Sequence, residues 1–186
     1  MNNPSESAKE VVLRRFLLGE SLIGWRFQPT DEELLSYLAM KAASGSLPFE
    51  VIPEIPAASF FDDHPKNLVN NQTKDNANSA LDKEWQFFID GDEYFEGVMV
   101  KDRKVGQGVG SWRSVGREDA VIGEDGKVIG YKYLSTYFTT AENSLRPKQT
   151  LWEMHKYRLS AEQVNLSAPV KRCVAARISR RDTKAS

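Results

Sequence analysis

Beyond residue 83 the chain is written in short runs of alternating apolar and polar residues, separated by residues that force tight turns. This pattern constrains the fold more than any other feature of the sequence. Residues 84–89 read as a strand, and Asp90-Gly91-Asp92 closes it as a tight turn. Residues 94–100 read as a second, weaker strand, Gly106, Gly108 and Gly110 as a mobile loop, and residues 111–115 as a short strand. Glu124-Asp125-Gly126 is a hairpin turn between Val121-Ile122 and Lys127-Val128-Ile129. Residues 130–140 are rich in Tyr and Thr, which favour strands. Within residues 150–159, Leu151, Glu153, His155 and Tyr157 alternate against Trp152, Met154, Lys156 and Arg158. Residues 170–178 read as a last strand.

Upstream the period changes. Thr30 stands as an N-cap with Glu33 three residues later, a capping box, and Asp31, Glu32 and Glu33 suit the positive end of a helix dipole. Leu34, Leu35, Leu38 and Ala42 follow at helical spacing, and Lys41 and Gly45 close the helix. Residues 47–56 carry prolines at 48, 53 and 56 and read as a connector with an edge strand at best. Residues 62–68 read as a single helical turn and residues 70–79 as an Asn-rich surface loop. Residues 1–9 are polar and read as disordered, and residues 10–18 fit a short helix or a strand. A helix followed by hairpin-linked strands predicts an α+β fold with a twisted antiparallel sheet.

At 186 residues the chain has the length of one domain, with no internal repeats or heptads to divide it. The expected organisation is a flexible segment over 1–19, one domain over 20–181 and a tail over 182–186. No window approaches the roughly 18 apolar residues of a membrane span. A single cysteine, Cys173, cannot form an internal disulfide, which predicts a reducing compartment, nuclear or cytosolic. One Cys and two His, His64 and His155, do not supply a Cys/His zinc site, and no metal or cofactor is expected.

The net charge of −1 conceals a gradient. Residues 1–100 balance at −9, residues 101–158 at +4 and residues 159–186 at +4. The C-terminal half is therefore a candidate polyanion surface, against the plainer reading of two solvated faces. Lys101, Arg103, Lys104, Arg113, Arg117, Lys132, Arg146, Lys148, Lys156 and Arg158 are interleaved with Trp112, Tyr131, Tyr133, Tyr137 and Trp152. Basic side chains on a sheet neutralise phosphates, and a protruding strand fits a major groove about 12 Å wide. Aromatics in such runs more often build a core.

Enzyme chemistry finds no support. Gly106-Gln107-Gly108-Val109-Gly110 lacks phosphate-loop spacing and precedes no helix. There is no Gly-x-Ser-x-Gly elbow and no His-Glu-x-x-His pair. Asp62-Asp63-His64 reads as a solvated turn rather than a metal or acid–base site, and His155 as a partner-satisfied strand histidine.

Five motifs then suggest a family. Gly24-Trp25-Arg26-Phe27-Gln28-Pro29-Thr30-Asp31-Glu32-Glu33-Leu34 resembles G-F-R-F-x-P-T-D-E-E-L, the opening motif of the plant NAC transcription-factor domain. Glu84-Trp85-Gln86-Phe87-Phe88 resembles E-W-Y-F-F, and Gly110-Ser111-Trp112-Arg113-Ser114-Val115-Gly116 resembles a degraded G-Y-W-K-A-T-G. Residues 152–159 resemble W-x-M-H-E-Y-R-L, and residues 174–181 resemble V-L-C-R-I-Y-K-K. The motifs stand in the family's order and cover about residues 20–181.

The resemblance implies a nuclear protein whose twisted antiparallel sheet packs between a few helices and which binds duplex DNA as a dimer. It places Arg26 and Glu33 at the dimer interface, although Glu33 also belongs to the capping box and one side chain does not easily serve both. It puts the strand edge Trp112–Gly116 in the major groove at a core resembling CGTG or CGTA. The implied DNA-binding residues are Lys101, Arg103, Lys104, Trp112, Arg113, Ser114, Arg117, Lys132, Arg146 and Lys148. No small-molecule substrate and no membrane are implied.

The match has gaps. Arg113 keeps the family lysine's charge, Ser114 replaces alanine, and Val115 replaces threonine and loses a hydroxyl. Asp119 reverses a lysine, with Arg117 two residues earlier as compensation, and Tyr133 replaces the lysine after Lys132. The basic residues at 171–172 and 177–181 also suit a nuclear localisation signal or, equally, the closing strand. Family members usually continue into a long regulatory tail, so a short member or an isolated domain is expected. The thinned edge leaves an alternative: a heterodimerising partner that inhibits other NAC proteins while binding DNA weakly.

Overall fold

A computed structural model describes residues 28–45, 52–73, 83–140, 144–166 and 171–181. In chain order these form α1 (Asp31–Ser44), β1 (Glu54–Pro56), α2 (Ala57–Phe60), α3 (Pro65–Thr73), β2 (Glu84–Asp90), a 3-10 turn (Glu93–Glu96), β3 (Asp102–Val105), β4 (Gly110–Ile122), β5 (Val128–Thr139), β6 (Lys148–Leu159), α4 (Ala161–Leu166) and β7 (Cys173–Arg180). The described strands form one sheet in the order β1-β2-β7-β6-β5-β4-β3. Neighbours pair antiparallel except β1 and β2, which run parallel. The fold is thus the expected α+β sheet between helices, with one parallel edge added by the proline-rich connector.

Helix α1 begins as its sequence dictates. The Glu33 amide donates to Thr30 Oγ1 and the Thr30 hydroxyl donates to Glu33 Oε1, both at 3.2 Å. It ends at Gly45, in the left-handed region at φ 74°, whose N–H donates to Lys41 O. Its buried face, Leu34, Leu35, Tyr37, Leu38 and Ala42, covers Phe88, Cys173, Ala175, Tyr157, Leu159 and Val121 on one side of the sheet. The opposite side carries Phe87, Ile89, Trp112, Tyr133, Tyr137, Trp152, Met154, Val174, Ala176 and Ile178. Phe60, Phe61, Leu68 and Val69 from α2, α3 and the turn between them close over it. Phe87 and Phe88 thus bury on opposite faces because successive strand residues point opposite ways.

Four local expectations are corrected. Residues 94–100 are no strand: the Asp92 carboxylate accepts the Tyr94 N–H at 2.8 Å, and this cap starts the 3-10 turn that Gly97 ends. The short strand over 111–115 is part of β4, which runs 13 residues and includes Val121-Ile122. The single turn over 62–68 extends to Thr73, so the start of the expected Asn-rich loop is helical. The glycine loop is seated rather than loose, since the Gly106 N–H donates to Phe61 O at 2.9 Å and Gly110 lies within β4. The expectations for residues 1–27, 46–51, 74–82 and 182–186 fall outside the described residues.

Candidate nucleic-acid interface

Strand β3 pairs with β4 only from Gly110 to Arg113. Past that point the Ser114 N–H donates to Lys101 O at 3.0 Å. Among the described residues no strand lies outside the remainder of β4. The β4–β5 register then breaks: Val115 faces Leu134, and the next pair is Asp119 with Lys132. Gly116, Arg117 and Glu118 bulge between them, with Gly116 at φ 74°. Val115, Gly116 and Arg117 are exposed.

Glu118 turns back from this bulge. Its carboxylate accepts Arg158 Nε at 3.0 Å, Arg158 Nη2 at 2.8 Å and the Tyr94 hydroxyl at 2.7 Å. Burial alone would raise the Glu118 carboxyl, but the Arg158 and Tyr94 hydrogen bonds outweigh it and hold the group below its ordinary range. The same burial and the facing carboxylate push the Tyr94 phenol up. The bulge is therefore clamped at its inner end and open at its tip.

Apart from Ser114, the expected DNA-binding residues divide into three groups. Lys101, Lys104, Arg117, Arg146 and Lys148 are exposed. Lys104 faces Ser111 on β4, and Lys148 faces Thr139, which itself pairs with Gly110. Ser114 is half-buried opposite Ser135. The second group is drawn onto the protein. The Arg113 guanidinium lies 4.4 Å from the Phe138 ring centre, with Nε 3.9 Å from Asp102 Oδ2. Arg103 lies 4.5 Å above the Phe61 ring and 3.8 Å from Glu93. Lys132 donates to Asp31 Oδ2 at 2.6 Å. Trp112 stands alone: at 1% exposed it is a core residue packed 5.1 Å from the Tyr137 ring. Its parity in β4 turns the indole inward, so its part is to hold the strand and its side chain is withdrawn from the contact set.

Two cations counted with the basic run are also internal. Lys156 donates to both Asp92 oxygens, at 3.1 and 3.0 Å, beneath Phe61, Tyr94 and Tyr133. Burial lowers its pKa against the raising effect of Asp92. Arg158 is the partner of Glu118. The sequence held the signal, since both residues share the alternation phase of Trp152 and Met154.

Sequence reasoning missed the Asp31 node. Asp31 accepts from Lys132, from the Tyr157 hydroxyl at 2.7 Å and from Arg177 Nη1 at 2.9 Å. Burial raises its carboxyl, but these three donors outweigh it and hold the group at about 2. Arg177 also reaches Pro29 O, Lys171 pairs with Glu54, Arg172 with Glu96, and Arg181 with Glu153 at 2.9 Å. The basic residues at the chain's end are thus largely engaged within the fold.

Arg26 lies outside the described residues. Glu33 is half-buried in its capping box. The His64 ring packs 4.8 Å from Tyr137, its Nδ1 accepts the Lys66 N–H at 3.0 Å, and burial lowers its pKa. Burial, Lys132 and Arg177 likewise lower His155. Among the described residues no group of three or more His, Cys, Asp or Glu is placed to hold a metal ion, and no described helix is long and apolar enough to cross a membrane.

The family model described as No apical meristem (NAM) protein matches residues 22–159. NAC domain-containing protein JA2 of Solanum lycopersicum is 32% identical over 163 residues, covering 86% of this chain and 43% of that protein. NAC domain-containing protein 72 of Arabidopsis thaliana is 34% identical over 139 residues, covering 73% of this chain and 41% of that protein. NAC domain-containing protein 83 of Arabidopsis thaliana is 30% identical over 157 residues, covering 83% and 56%. The chain spans about half the length of these relatives.

Proposed function

The chain belongs to the NAM family of NAC-domain proteins, and on that premise we propose that it binds duplex DNA through the open edge of β4 and regulates transcription from the nucleus as a dimer. One observation carries this reading: beyond Arg113 the edge of β4 is uncovered among the described residues and bulges outward, with exposed Arg117 on it and exposed Lys101 and Lys104 beside it. A free strand edge gives a major groove something to admit, and the cations neutralise the phosphates on either side. Arg146 and Lys148 extend the basic surface across the start of β6. Residues 20–181 form the binding and dimerising unit, with Arg26 and Glu33 at the dimer contact. No catalytic step, cofactor or small molecule belongs to this reading.

The test is a titration of folded protein against a short duplex carrying a CGTG core and against a scrambled duplex, at two salt concentrations. Preference for the core, weakened by salt, is the expected result. Equal or absent binding to both duplexes rejects the reading.

A second reading rests on the carboxylates that occupy Lys132, Arg103 and Arg113. In it the protein pairs with NAC relatives and lowers their DNA occupancy while binding weakly itself. Co-purification with co-expressed relatives separates the two, since the absence of any mixed dimer rejects the second.

A further inference from the structure

We propose that Val115 reads the C5 methyl group of a pyrimidine, thymine or 5-methylcytosine, in the major groove. The inference rests on the reading of β4 as the DNA-contacting edge and goes beyond it by naming what that edge recognises.

Val115 is 49% exposed, a large aliphatic side chain left in solvent where β4 parts from β3. Its position is fixed from both sides. The Ser114 N–H is bonded to Lys101 O at 3.0 Å, and Glu118 is held by Arg158 and Tyr94. Pairing with Leu134 sets the facing of the residue itself. A branched Cβ restricts χ1, so the two methyl groups are presented in few orientations. Val115 offers no donor or acceptor to a base edge, so it gains only by covering an apolar group. The natural apolar group on a base edge in the major groove is the pyrimidine C5 methyl.

The neighbours support this division of labour. Arg113, its side chain 41% exposed, is laid over Phe138 and faces Asp102, so Val115 is the apolar side chain of this stretch that stands in solvent. Exposed Arg117, two residues on, supplies the attraction to phosphate that a lone valine lacks.

The experiment uses the full chain and three duplexes of one sequence containing the CGTG core. The first carries thymine, the second deoxyuracil at every thymine, and the third deoxyuracil with C5-methylated CpG cytosines. The wild-type protein is expected to bind the deoxyuracil duplex about four-fold more weakly than the thymine duplex, the worth of one buried methyl-sized group. Recovery on the third duplex identifies 5-methylcytosine as a source of the methyl, and no recovery identifies thymine alone. Either result supports the proposal, provided that Val115→Ser brings the affinities together. Equal wild-type affinity for all three duplexes overturns the methyl reading and leaves DNA binding standing. An undiminished ratio in Val115→Ser also overturns it, because the methyl is then read elsewhere. No binding to any duplex by folded protein overturns the DNA reading and this inference with it.

Discussion

Asp31 is a half-buried carboxylate that takes three donors from three different strands. Its folded pKa of about 2 lies below the ordinary 3.8, so its stabilisation is present above 3.8 and is lost as pH falls towards 2. Asp31→Asn is expected to cost about 2 kcal/mol at neutral pH, with the gap from wild type closing near pH 2. Urea denaturation of both proteins across that range measures it. Lys156 poses the opposite problem, a cation that lies in the core only because Asp92 is there. The motif that residues 152–159 resemble has glutamate at this place, so the family residue would set two carboxylates against each other here. Lys156→Glu is expected to prevent folding. Lys156→Met leaves Asp92 buried and unpaired and is expected to cost about 3–5 kcal/mol. Asp92→Asn with Lys156→Met is expected to recover most of that loss in the same denaturation assay.

At the scale of elements, β4 shows where the sequence was legible and where it was not. Alternation gave its two ends, 111–115 and 121–122, but Gly116, Arg117, Glu118 and Asp119 carry no strand signal. A bulge frees Gly116, Arg117 and Glu118 from the pleat, so their side chains obey the surface and not the ladder. Residues 94–100 misled in the other direction, because aromatic and aliphatic residues suit a strand until the Asp92 cap and Gly97 enforce a tight turn. Helix α1 was readable throughout, since its cap, its dipole and its apolar face all lie within 15 residues of chain. The site cations were readable by position but not by availability, because the carboxylates that claim them come from distant segments. Two glycines of β4 separate the constraints. A Cβ on Gly110 would stand 2.5 Å from Phe138 O and 2.3 Å from the Tyr137 hydroxyl, whereas one on Gly116 meets nothing within 4 Å but sits at φ 74°. Gly116→Ala is expected to cost about 1–2 kcal/mol through its backbone angle, and Gly110→Ala more than that because backbone must move. Equal losses on chemical denaturation would refute the distinction.

At the scale of the molecule, ion pairs among the described residues join the acidic half of the sequence to the basic half. Asp31, Glu54, Asp92, Glu93 and Glu96 of the acidic half reach Lys132, Lys171, Lys156, Arg103 and Arg172 of the basic half. These pairs engage Lys132 and Arg103 of the expected contact set and leave Lys101, Lys104, Arg117, Arg146 and Lys148 as its exposed members. For five phosphate contacts per protomer, log K is expected to fall against log salt with a slope of about −4.5; all eight basic residues of that set would give about −7. A salt series in the DNA titration decides between them. The Asp31 node also sets an order of events for synthesis. Its partners lie 101, 126 and 146 residues further along the chain. Helix α1 is made before all three of these anchors and carries its own cap. The nascent chain must hold α1's apolar face uncommitted until β7 emerges, so this domain closes only when its last strand is made, with the slow closure that distant pairings impose.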